Sequence, residues 1–213
     1  MTDIPPVSAI ADVLKLWGRD GWLTPPLKAV VSSSMPVMGT ATTISIVAGE
    51  SGPGLAPVYS LLSRSLSDRF VVVAGARAVD GAVWGEIMSA AASGQGAAGA
   101  LVDGCVRDAG EMEQIGLPVY ATAGCVVGPN GTAHAVAVDD DVVIGGVVIA
   151  AGDTLVADET GCVRIPQAHV DEVLGAARAY AAAEAQVVQA LRAGEPLTTA
   201  YLHKKTTVDE LRR

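Results

Sequence analysis

The order of apolar and polar residues predicts a helix at the start of the chain and a strand after it. Ile10, Val13, Leu14 and Trp17 recur at the spacing of one helical face, and this pattern ends near Gly18. The segment TATTISIVAG then alternates as a strand does. The segment SGPGLAPVYSLLSRSLSD is typical of a loop that leads into a second helix.

A strand, a helix and another strand follow in the middle of the chain. RFVVVAG is a β-branched run typical of buried strands, and AAGALVDG is a second apolar run that we expect to end at Gly104. Between them, DGAVWGEIMSAAASGQG has an Ala-rich interior and flanking glycines, which predicts a helix of about three turns. Such a βαβ unit makes its two strands parallel and adjacent, with a right-handed crossover.

The second half of the chain is predicted to form short strands and then one long helix. The strand segments are PVYATAG, TAHAVAVDD, VVIGGVVI, DTLVADETG and CVRIP. The long helix is expected from about Gln167 to Ala193, and a charged tail from about residue 195 to 213. Because the sequence has no internal repeat or low-complexity linker, it predicts a single compact α/β domain over residues 1–213, with an N-terminal helix in about the first 20 residues.

The composition indicates a core built from small side chains. Half of the 213 residues are apolar, yet the chain has one Phe, three Trp and four Tyr. The mean hydropathy of +0.41 is high, with Ala, Val and Gly supplying the excess. Buried contacts between subunits are one use for such a surplus, so we predict a homo-oligomer.

Charge, cysteine content and apolar run length bear on the partners and the compartment of the protein. A net charge of −9, with no basic run longer than His203-Lys204-Lys205, disfavours binding to nucleic acid. The three cysteines have no CxxC spacing, and MTDIPPVSAI lacks the features of a signal peptide, which indicates reduced thiols in a cytoplasmic protein. The apolar run from Val142 to Gly152 is too short to span a bilayer, so no membrane contact is expected.

The βαβ geometry predicts a site at one edge of the sheet. The crossover helix begins at the carboxyl edge of the first strand, and the second strand ends at that same edge. Glu86 at the helix start and Arg107 after the strand are separated by 20 residues, the length of one helix plus one strand. We therefore expect Glu86, Arg107 and Asp108 to lie together, where open α/β sheets usually bind ligands.

The residues at this edge suit a small carboxylic acid chelated to a divalent metal. Amide groups at a helix start attract anions, and Gly81 and Gly85 allow close approach to the main chain. Arg107 offers a planar fork for a carboxylate, while Glu86 and Asp108 offer the oxygen ligands that Mg²⁺ prefers. Two structural alternatives remain open: a glycine turn without function, and an Arg–Asp pair that is a surface ion pair or a helix cap.

With these residues identified, the sequence resembles the RraA-like family, which includes class II pyruvate aldolases acting on 4-hydroxy-4-methyl-2-oxoglutarate and 4-carboxy-4-hydroxy-2-oxoadipate. The resemblance rests on DGAVWGEIMSAAASGQGAAGALVDGCVRD, residues 80–108, which is similar to the family's acidic residue, 20-residue gap and Arg-Asp signature. Three further segments extend the resemblance over most of the chain: AAGDTLVADETGCVRIP, the LRAGEPL of the last helix and, more loosely, SAIADVLKLWG. The implied fold is the family's swivelling β/β/α domain.

The resemblance also implies roles for individual residues. Glu86 and Asp108 would help to hold Mg²⁺ or Mn²⁺, largely through water, and Arg107 would contact the pyruvate unit. Gly85 and the main-chain amides of Ile87 and Met88 would lie near the pyruvate carboxylate. Family members form trimers or dimers of trimers with sites between subunits. Asp12 of the first helix would then reach a neighbour's site, and Glu184 of the last helix is a further candidate for such a contribution.

The implied activity is retro-aldol cleavage of a 4-hydroxy-2-keto acid through pyruvate enolate, with decarboxylation of oxaloacetate as a companion reaction. The aldolases carry Asp where this chain has Glu86, which could shift metal distance or substrate choice. Asp108 is retained, whereas ribonuclease-binding regulators of the family tend to lose it, and this favours chemistry over pure binding. A non-catalytic protein-binding regulator and a specialised-pathway enzyme that reuses the enolate site remain alternatives.

Other chemically capable residues are expected to be structural. Trp84 either lines the pocket or fills the core, and Cys105 has no neighbouring His in sequence that would activate it as a nucleophile. His134 and His169 are isolated, so no metal triad is predicted. No Lys lies in the signature, which disfavours a Schiff base without excluding it, and GARAVDG lacks the dinucleotide-binding pattern.

Overall fold

The computed structural model describes residues 4–212 as an α/β domain built on a mixed sheet. Within that range the α-helices are α1 (Val7–Leu16), α2 (Ala56–Leu62), α3 (Glu86–Gly94), α4 (Ala109–Ile115), α5 (Val170–Arg192), α6 (Leu197–Ala200) and α7 (Leu202–Leu211). The strands are β1 (Lys28–Val31), β2 (Val37–Ala48), β3 (Arg69–Ala74), β4 (Ala82–Trp84), β5 (Gly99–Val106), β6 (Val119–Gly124), β7 (Ala133–Val138), β8 (Val142–Ile144), β9 (Val147–Ile149), β10 (Thr154–Asp158) and β11 (Gly161–Ile165).

The predicted βαβ unit is confirmed. Strands β3 and β5 are parallel neighbours, with Phe70 opposite Gly99 and Val73 opposite Val102. The sheet order is β1-β6-β5-β3-β2-β10-β11, with β4 paired to β5 and β7 paired to β2, while β8 and β9 form a separate hairpin. Strand β5 therefore has parallel partners on both sides, and its carboxyl end is an interior position of the sheet.

The sheet is covered on both faces, which explains its β-branched runs. Val71 and Val73 of β3 pack in the layer that includes α2, α3 and α4. Phe70 and Val72 point to the opposite layer, which contains the β8–β9 hairpin. A third cluster joins α1 and α5 to β10 and β11. Because β3 is buried on both faces after its first residue, its side chains from Phe70 to Ala74 are continuously apolar rather than alternating.

The site region differs from the prediction in where the helix and strand end. Residues Ala82–Trp84 lie in the segment predicted to hold the start of a helix, but they form the strand β4, and α3 begins after them at Glu86. Strand β5 does not stop at Gly104 but continues to Val106, because β4 and β6 both supply parallel partners for its last residues. Gly104 fits this interior position because a Cβ there would lie only 2.6 Å from Cβ of Ala76.

Several elements were not predicted from the sequence. Strand β1 and helix α4 are two of them, and both are short, with four and seven residues. The charged tail predicted from about residue 195 contains the helices α6 and α7, which pack against α5. The indole nitrogen of Trp17 donates a hydrogen bond of 2.9 Å to the carbonyl oxygen of Leu211, which joins α1 to the end of α7.

Across residues 4–212, no helix combines the length and the apolar character needed to cross a membrane.

Candidate active site

A cavity of about 220 Å³ opens at the carboxyl edge of β4 and β5. It is bounded by β4, the first turn of α3, the residues after β5, the start of α2 and the loop between β6 and β7. Its lining residues are Leu55, Tyr59, Ala82, Val83, Trp84, Gly85, Glu86, Ile87, Met88, Arg107, Asp108 and Pro129. The three residues predicted to converge, Glu86, Arg107 and Asp108, all belong to this set.

Backbone contacts hold the two distant segments together. The amide of Arg107 donates a hydrogen bond of 3.1 Å to the carbonyl oxygen of Trp84. A Cβ on Gly85 would lie 3.0 Å from Oδ2 of Asp108 and 3.1 Å from Cγ of Arg107. Glycine is therefore the residue that lets the start of α3 approach the Arg-Asp pair this closely.

Arg107 and Asp108 form an ion pair that remains accessible to a ligand. Nε of Arg107 lies 3.4 Å from Oδ2 of Asp108, and the two side chains are 45% and 38% exposed. Water screens an ion pair of this kind, so it contributes little to stability. Asp108 occupies the N-cap position of α4, but its side chain makes no capping hydrogen bond. Of the two structural alternatives for this pair, the ion pair exists and the cap does not.

The start of α3 provides amide groups without a capping side chain. Gly85 is the N-cap residue, so no side-chain oxygen is available to it. The first amides of a helix have no partner within the helix, and they carry the positive end of the helix dipole. Because Ile87 and Met88 line the cavity, this helix end is suited to an anion.

Trp84 belongs to both the core and the cavity wall. It is 2% exposed, and its indole nitrogen donates a hydrogen bond of 2.8 Å to Oγ of the buried Ser89. The expectation of a core role is confirmed, and the alternative that Trp84 walls the pocket is also met.

The loop between β6 and β7 closes one side of the cavity. The amide of Ala82 donates to the carbonyl oxygen of Val127 at 2.9 Å, and a Cβ on Gly81 would lie 2.6 Å from the carbonyl oxygen of Gly128. Gly81, with φ of +145°, thus allows the loop to rest on β4 and brings Pro129 to the cavity.

Sequence reasoning missed the lining residues that lie outside the signature. Leu55 and Tyr59 come from α2 and its N-cap, and Pro129 comes from the loop between β6 and β7. None of them has a local pattern that distinguishes a cavity wall from any surface position.

Asp12 and Glu184 do not line this cavity. Asp12 accepts a hydrogen bond of 2.7 Å from the hydroxyl of Tyr180. Glu184 accepts one of 2.7 Å from Nζ of Lys204 on α7, so its carboxylate has a partner. Their contribution to a neighbouring subunit's site stays a prediction.

The remaining candidates occupy structural positions. Burial, followed by the proximity of Cys125, raises the pKa of the Cys105 thiol, which makes it a poor nucleophile at neutral pH. The buried His134 accepts a hydrogen bond of 2.9 Å from the amide of Gly54, and its other nitrogen lies 3.1 Å from the carbonyl oxygen of Gly49. Nδ1 of His169 lies 3.6 Å from a carboxylate oxygen of Glu172.

The cavity's donor set fits a hard divalent cation. Glu86 and Asp108 supply carboxylate oxygens at its wall, and Mg²⁺ commonly uses one or two carboxylates together with water and substrate oxygens. In the part of the chain that the structure describes, no group of three or more His, Cys, Asp or Glu side chains is arranged as a metal cage.

Fold and cavity together define an α/β domain whose cavity is lined by a helix start, an acidic residue and an Arg-Asp pair. A family model described as RraA-like, Aldolase/RraA, matches residues 7–164. The chain belongs to this family, as its resemblance to it indicated.

The chain is also similar to individual curated proteins. A protein of Halalkalibacterium halodurans, provisionally named 4-hydroxy-4-methyl-2-oxoglutarate aldolase, is 26% identical over 201 residues, which cover 93% of this chain and 90% of that protein. Protein DlpA of Legionella pneumophila is 26% identical over 192 residues, or 90% of this chain, but the chain spans only 31% of its length.

A solved structure confirms the fold. An uncharacterized protein from Pseudomonas syringae superposes with a TM-score of 0.81 at 26% identity, and the match covers 92% of each chain.

Proposed function

We propose that this protein is a divalent-metal-dependent lyase that cleaves a 4-hydroxy-2-keto acid by a retro-aldol reaction and releases pyruvate. One observation supports this assignment above all: Glu86, Arg107 and Asp108 line a single cavity together with the uncapped start of α3. A cation, an amide-rich helix end and two carboxylates are the groups that a keto acid and a metal require.

Arg107 and the first amides of α3 bind the carboxylate end of the substrate. The guanidinium forms charge-assisted, bidentate hydrogen bonds to a carboxylate, and the helix end adds neutral N–H donors and a favourable dipole. Because Gly85 lets the start of α3 approach Arg107 closely, the keto group beside the bound carboxylate lies in the same positive field. Negative charge that develops on the keto oxygen is thereby stabilised.

Glu86 and Asp108 would hold Mg²⁺ or Mn²⁺. The bound metal supplies Lewis-acid stabilisation of negative charge on oxygen and raises the acidity of bound water.

Bond cleavage requires removal of one proton and placement of one electron pair. A water oriented by Glu86 or Asp108 accepts the proton of the C4 hydroxyl, and that oxygen then forms a carbonyl. The C3–C4 bond breaks, and its electron pair moves into the keto group to give pyruvate enolate. Protonation of the enolate at C3 completes the reaction. Oxaloacetate decarboxylation reaches the same enolate by loss of CO₂ and needs no base at C4.

The positions of the lysines favour this chemistry over a Schiff base. Lys15, Lys28, Lys204 and Lys205 are the four lysines of the sequence, and none belongs to the cavity lining. Lys204 instead donates a hydrogen bond to Glu184.

The test is pyruvate release, coupled to lactate dehydrogenase, from 4-hydroxy-2-keto acids and from oxaloacetate. Wild-type protein is expected to release pyruvate in the presence of Mg²⁺ or Mn²⁺, and excess EDTA is expected to abolish this release. Arg107→Ala and Asp108→Asn are expected to lower kcat/KM by about a hundredfold or more, a size typical of losing one preorganised stabilising group. Arg64→Ala, which removes an exposed arginine outside this cavity, should retain wild-type turnover.

Equal rates for wild type, Arg107→Ala and Asp108→Asn in the presence of metal would contradict the proposal. A folded wild-type protein that is inert toward every substrate of the panel would instead favour a non-catalytic regulator, whose partner binding should survive EDTA.

A further inference from the structure

We infer that this protein has a second ligand site, which binds a small α-amino acid with an aliphatic side chain. The site is a cavity of about 390 Å³ between the loop after α1, the turn of the β8–β9 hairpin and the segment that joins β11 to α5. None of the residues that line it also lines the cavity at Arg107. The inference therefore goes beyond the proposed lyase activity and does not depend on it.

Two glycines allow the walls of this second cavity to approach one another. A Cβ on Gly21 would collide with the carbonyl oxygen of Arg164, whose amide donates a hydrogen bond of 2.7 Å to the carbonyl oxygen of Gly21. A Cβ on Gly145, which has a φ of +55°, would lie 2.7 Å from the amide nitrogen of Thr24. That amide donates to the carbonyl oxygen of Gly145 at 3.0 Å. Main-chain contacts thus hold the loop after α1 against β11 and against the hairpin turn.

Arg19 brings an unsatisfied hydrogen-bond donor to the cavity. Its Nη1 atom is buried and has no hydrogen-bond partner among the residues that the structure describes. The Oε2 atom of Glu172 lies 3.9 Å from it, which is an ion pair but is beyond hydrogen-bonding distance. Because a buried donor without a partner costs free energy, a ligand that places an acceptor here gains by satisfying it.

The other charged groups around the cavity favour a zwitterion over a simple anion. Nε of Arg164 lies 2.8 Å from Oδ2 of Asp153, and Nδ1 of His169 lies 3.6 Å from Oε2 of Glu172. Asp20, which also lines the cavity, forms no ion pair with any residue of the described range 4–212. Positive and negative groups therefore nearly balance, and the cavity offers both an open donor and an open carboxylate.

An α-amino acid carries both complementary groups in one small molecule. Its carboxylate accepts a charge-assisted hydrogen bond from Arg19, and its ammonium group donates to Asp20. The rest of the wall includes the apolar residues Val147, Val148 and Pro166. An aliphatic side chain that leaves water for this wall gains free energy by burial.

Isothermal titration calorimetry with L-leucine tests the site. Leucine is expected to bind the wild type with a Kd of about 1 mM or lower. Two analogues each lack one charged group: 4-methylpentanoate has no ammonium group, and 3-methylbutan-1-amine has no carboxylate. Each analogue is expected to bind about tenfold more weakly or worse, because it loses one charge-assisted hydrogen bond.

Variants of the two charged residues identify the site. Arg19→Gln is expected to raise the Kd of leucine by about tenfold or more. Asp20→Asn should make leucine and 4-methylpentanoate bind equally, since the ammonium group has then lost its partner. Arg192→Gln, which changes an exposed arginine at the end of α5 outside this cavity, is the matched control and should bind leucine as the wild type does. Thermal unfolding of each variant checks that it is folded.

Arg107→Ala separates this site from the first cavity and should bind leucine with the wild-type Kd. Loss of leucine binding in Arg107→Ala, with unchanged binding in Arg19→Gln, would place leucine in the first cavity and overturn the inference. A wild-type Kd for leucine above about 1 mM, or one equal to that of 4-methylpentanoate, would also overturn it. Pyruvate release is measured separately, so this inference and the proposed lyase activity can each fail without the other.

Discussion

Gly85 occupies a position where even one methyl group would disturb the ion pair beside it. Its φ of −178° is extended backbone open to any residue, so the constraint is steric. A Cβ would lie 3.0 Å from Oδ2 of Asp108 and 3.2 Å from the carbonyl oxygen of Arg107. We expect Gly85→Ala to lower kcat/KM by at least tenfold, because a displacement of about 1 Å at a reacting group costs one to two orders of magnitude.

Gly94→Ala is the matched control for this prediction. Gly94 is the last residue of α3, and nothing lies within 4 Å of a Cβ placed there. This substitution should leave kcat/KM unchanged and raise the free energy of unfolding by up to about 1 kcal/mol. If both alanine variants had wild-type kinetics, the tight packing at Gly85 would have no functional meaning.

The main site residues could be predicted because their positions follow from topology. Glu86 begins the helix of a βαβ unit, Arg107 and Asp108 follow its second strand, and apolar runs mark that unit in the sequence. Tyr59 and Pro129 could not be predicted in the same way. Tertiary packing alone brings them to the cavity, and no periodicity or spacing connects them to Arg107.

At the scale of elements, Lys204 fixes α7 against α5. Its Nζ lies 2.7 Å from Oε1 of Glu184 and 4.6 Å from the centroid of the Tyr180 ring. Burial alone would lower the pKa of Lys204, but hydrogen bonds to Glu184 and Tyr180 outweigh it and raise the pKa above its ordinary value. The charged form of Lys204 is therefore favoured by folding.

We predict that Lys204→Met lowers the free energy of unfolding by about 0.5–1 kcal/mol at pH 7, the range for a partly exposed ion pair with a cation–π contact. A raised pKa in the folded state means that this contribution is complete below the unfolded-state pKa of about 10.4 and is lost as pH rises through the folded-state value. Urea unfolding from pH 7 to pH 11 should show a constant difference from wild type up to about pH 10 and a shrinking one above it.

Lys205→Met serves as the control, since Lys205 is an exposed neighbour on the same helix. Its unfolding free energy should match the wild type within about 0.5 kcal/mol at every pH. A Lys204→Met variant that is as stable as wild type at pH 7 would show that the contact does not hold α7 in place.

The elements that the sequence missed are those stabilised mainly by their neighbours. Helix α7 has polar residues on most of its surface and no apolar stripe, yet it packs on α5 and α1 through Lys204 and Leu211. Strand β4 has only three residues, and its pairing with β5 makes it a strand. In contrast, β3 and α5 were predicted because each carries a long apolar pattern of its own.

At the scale of the molecule, several large apolar side chains near the cavity are exposed. Tyr59 and Ile87, both in the cavity lining, are 55% and 76% exposed, and Val126 in the neighbouring loop is 96% exposed. Exposed apolar residues next to a site are typical of surfaces that another protein covers. We infer from them that this surface is covered in a homo-oligomer, as composition predicts; that the assembly is a trimer or hexamer is what the family resemblance implies.

Sedimentation equilibrium measures this directly. The mass should be about three or six times the 21.5 kDa of one chain. Val126→Asp is expected to shift the mass toward that of one chain, because a charge would be buried without a partner. Val126→Thr keeps the size of the side chain without a charge and should preserve the assembly. A wild-type mass of one chain at micromolar concentration would remove the predicted oligomer.

The backbone of Asp108 limits how this fold can change over evolutionary time. Its φ of 60° lies in the left-handed region, which Gly, Asn and Asp adopt far more readily than other residues. Asp108→Gly and Asp108→Asn are thus the two substitutions tolerated here without strain. Both remove the carboxylate and keep the main chain in place. A descendant of this protein could therefore lose, in one step, the carboxylate on which the proposed chemistry depends, and still keep its fold and be selected for another task.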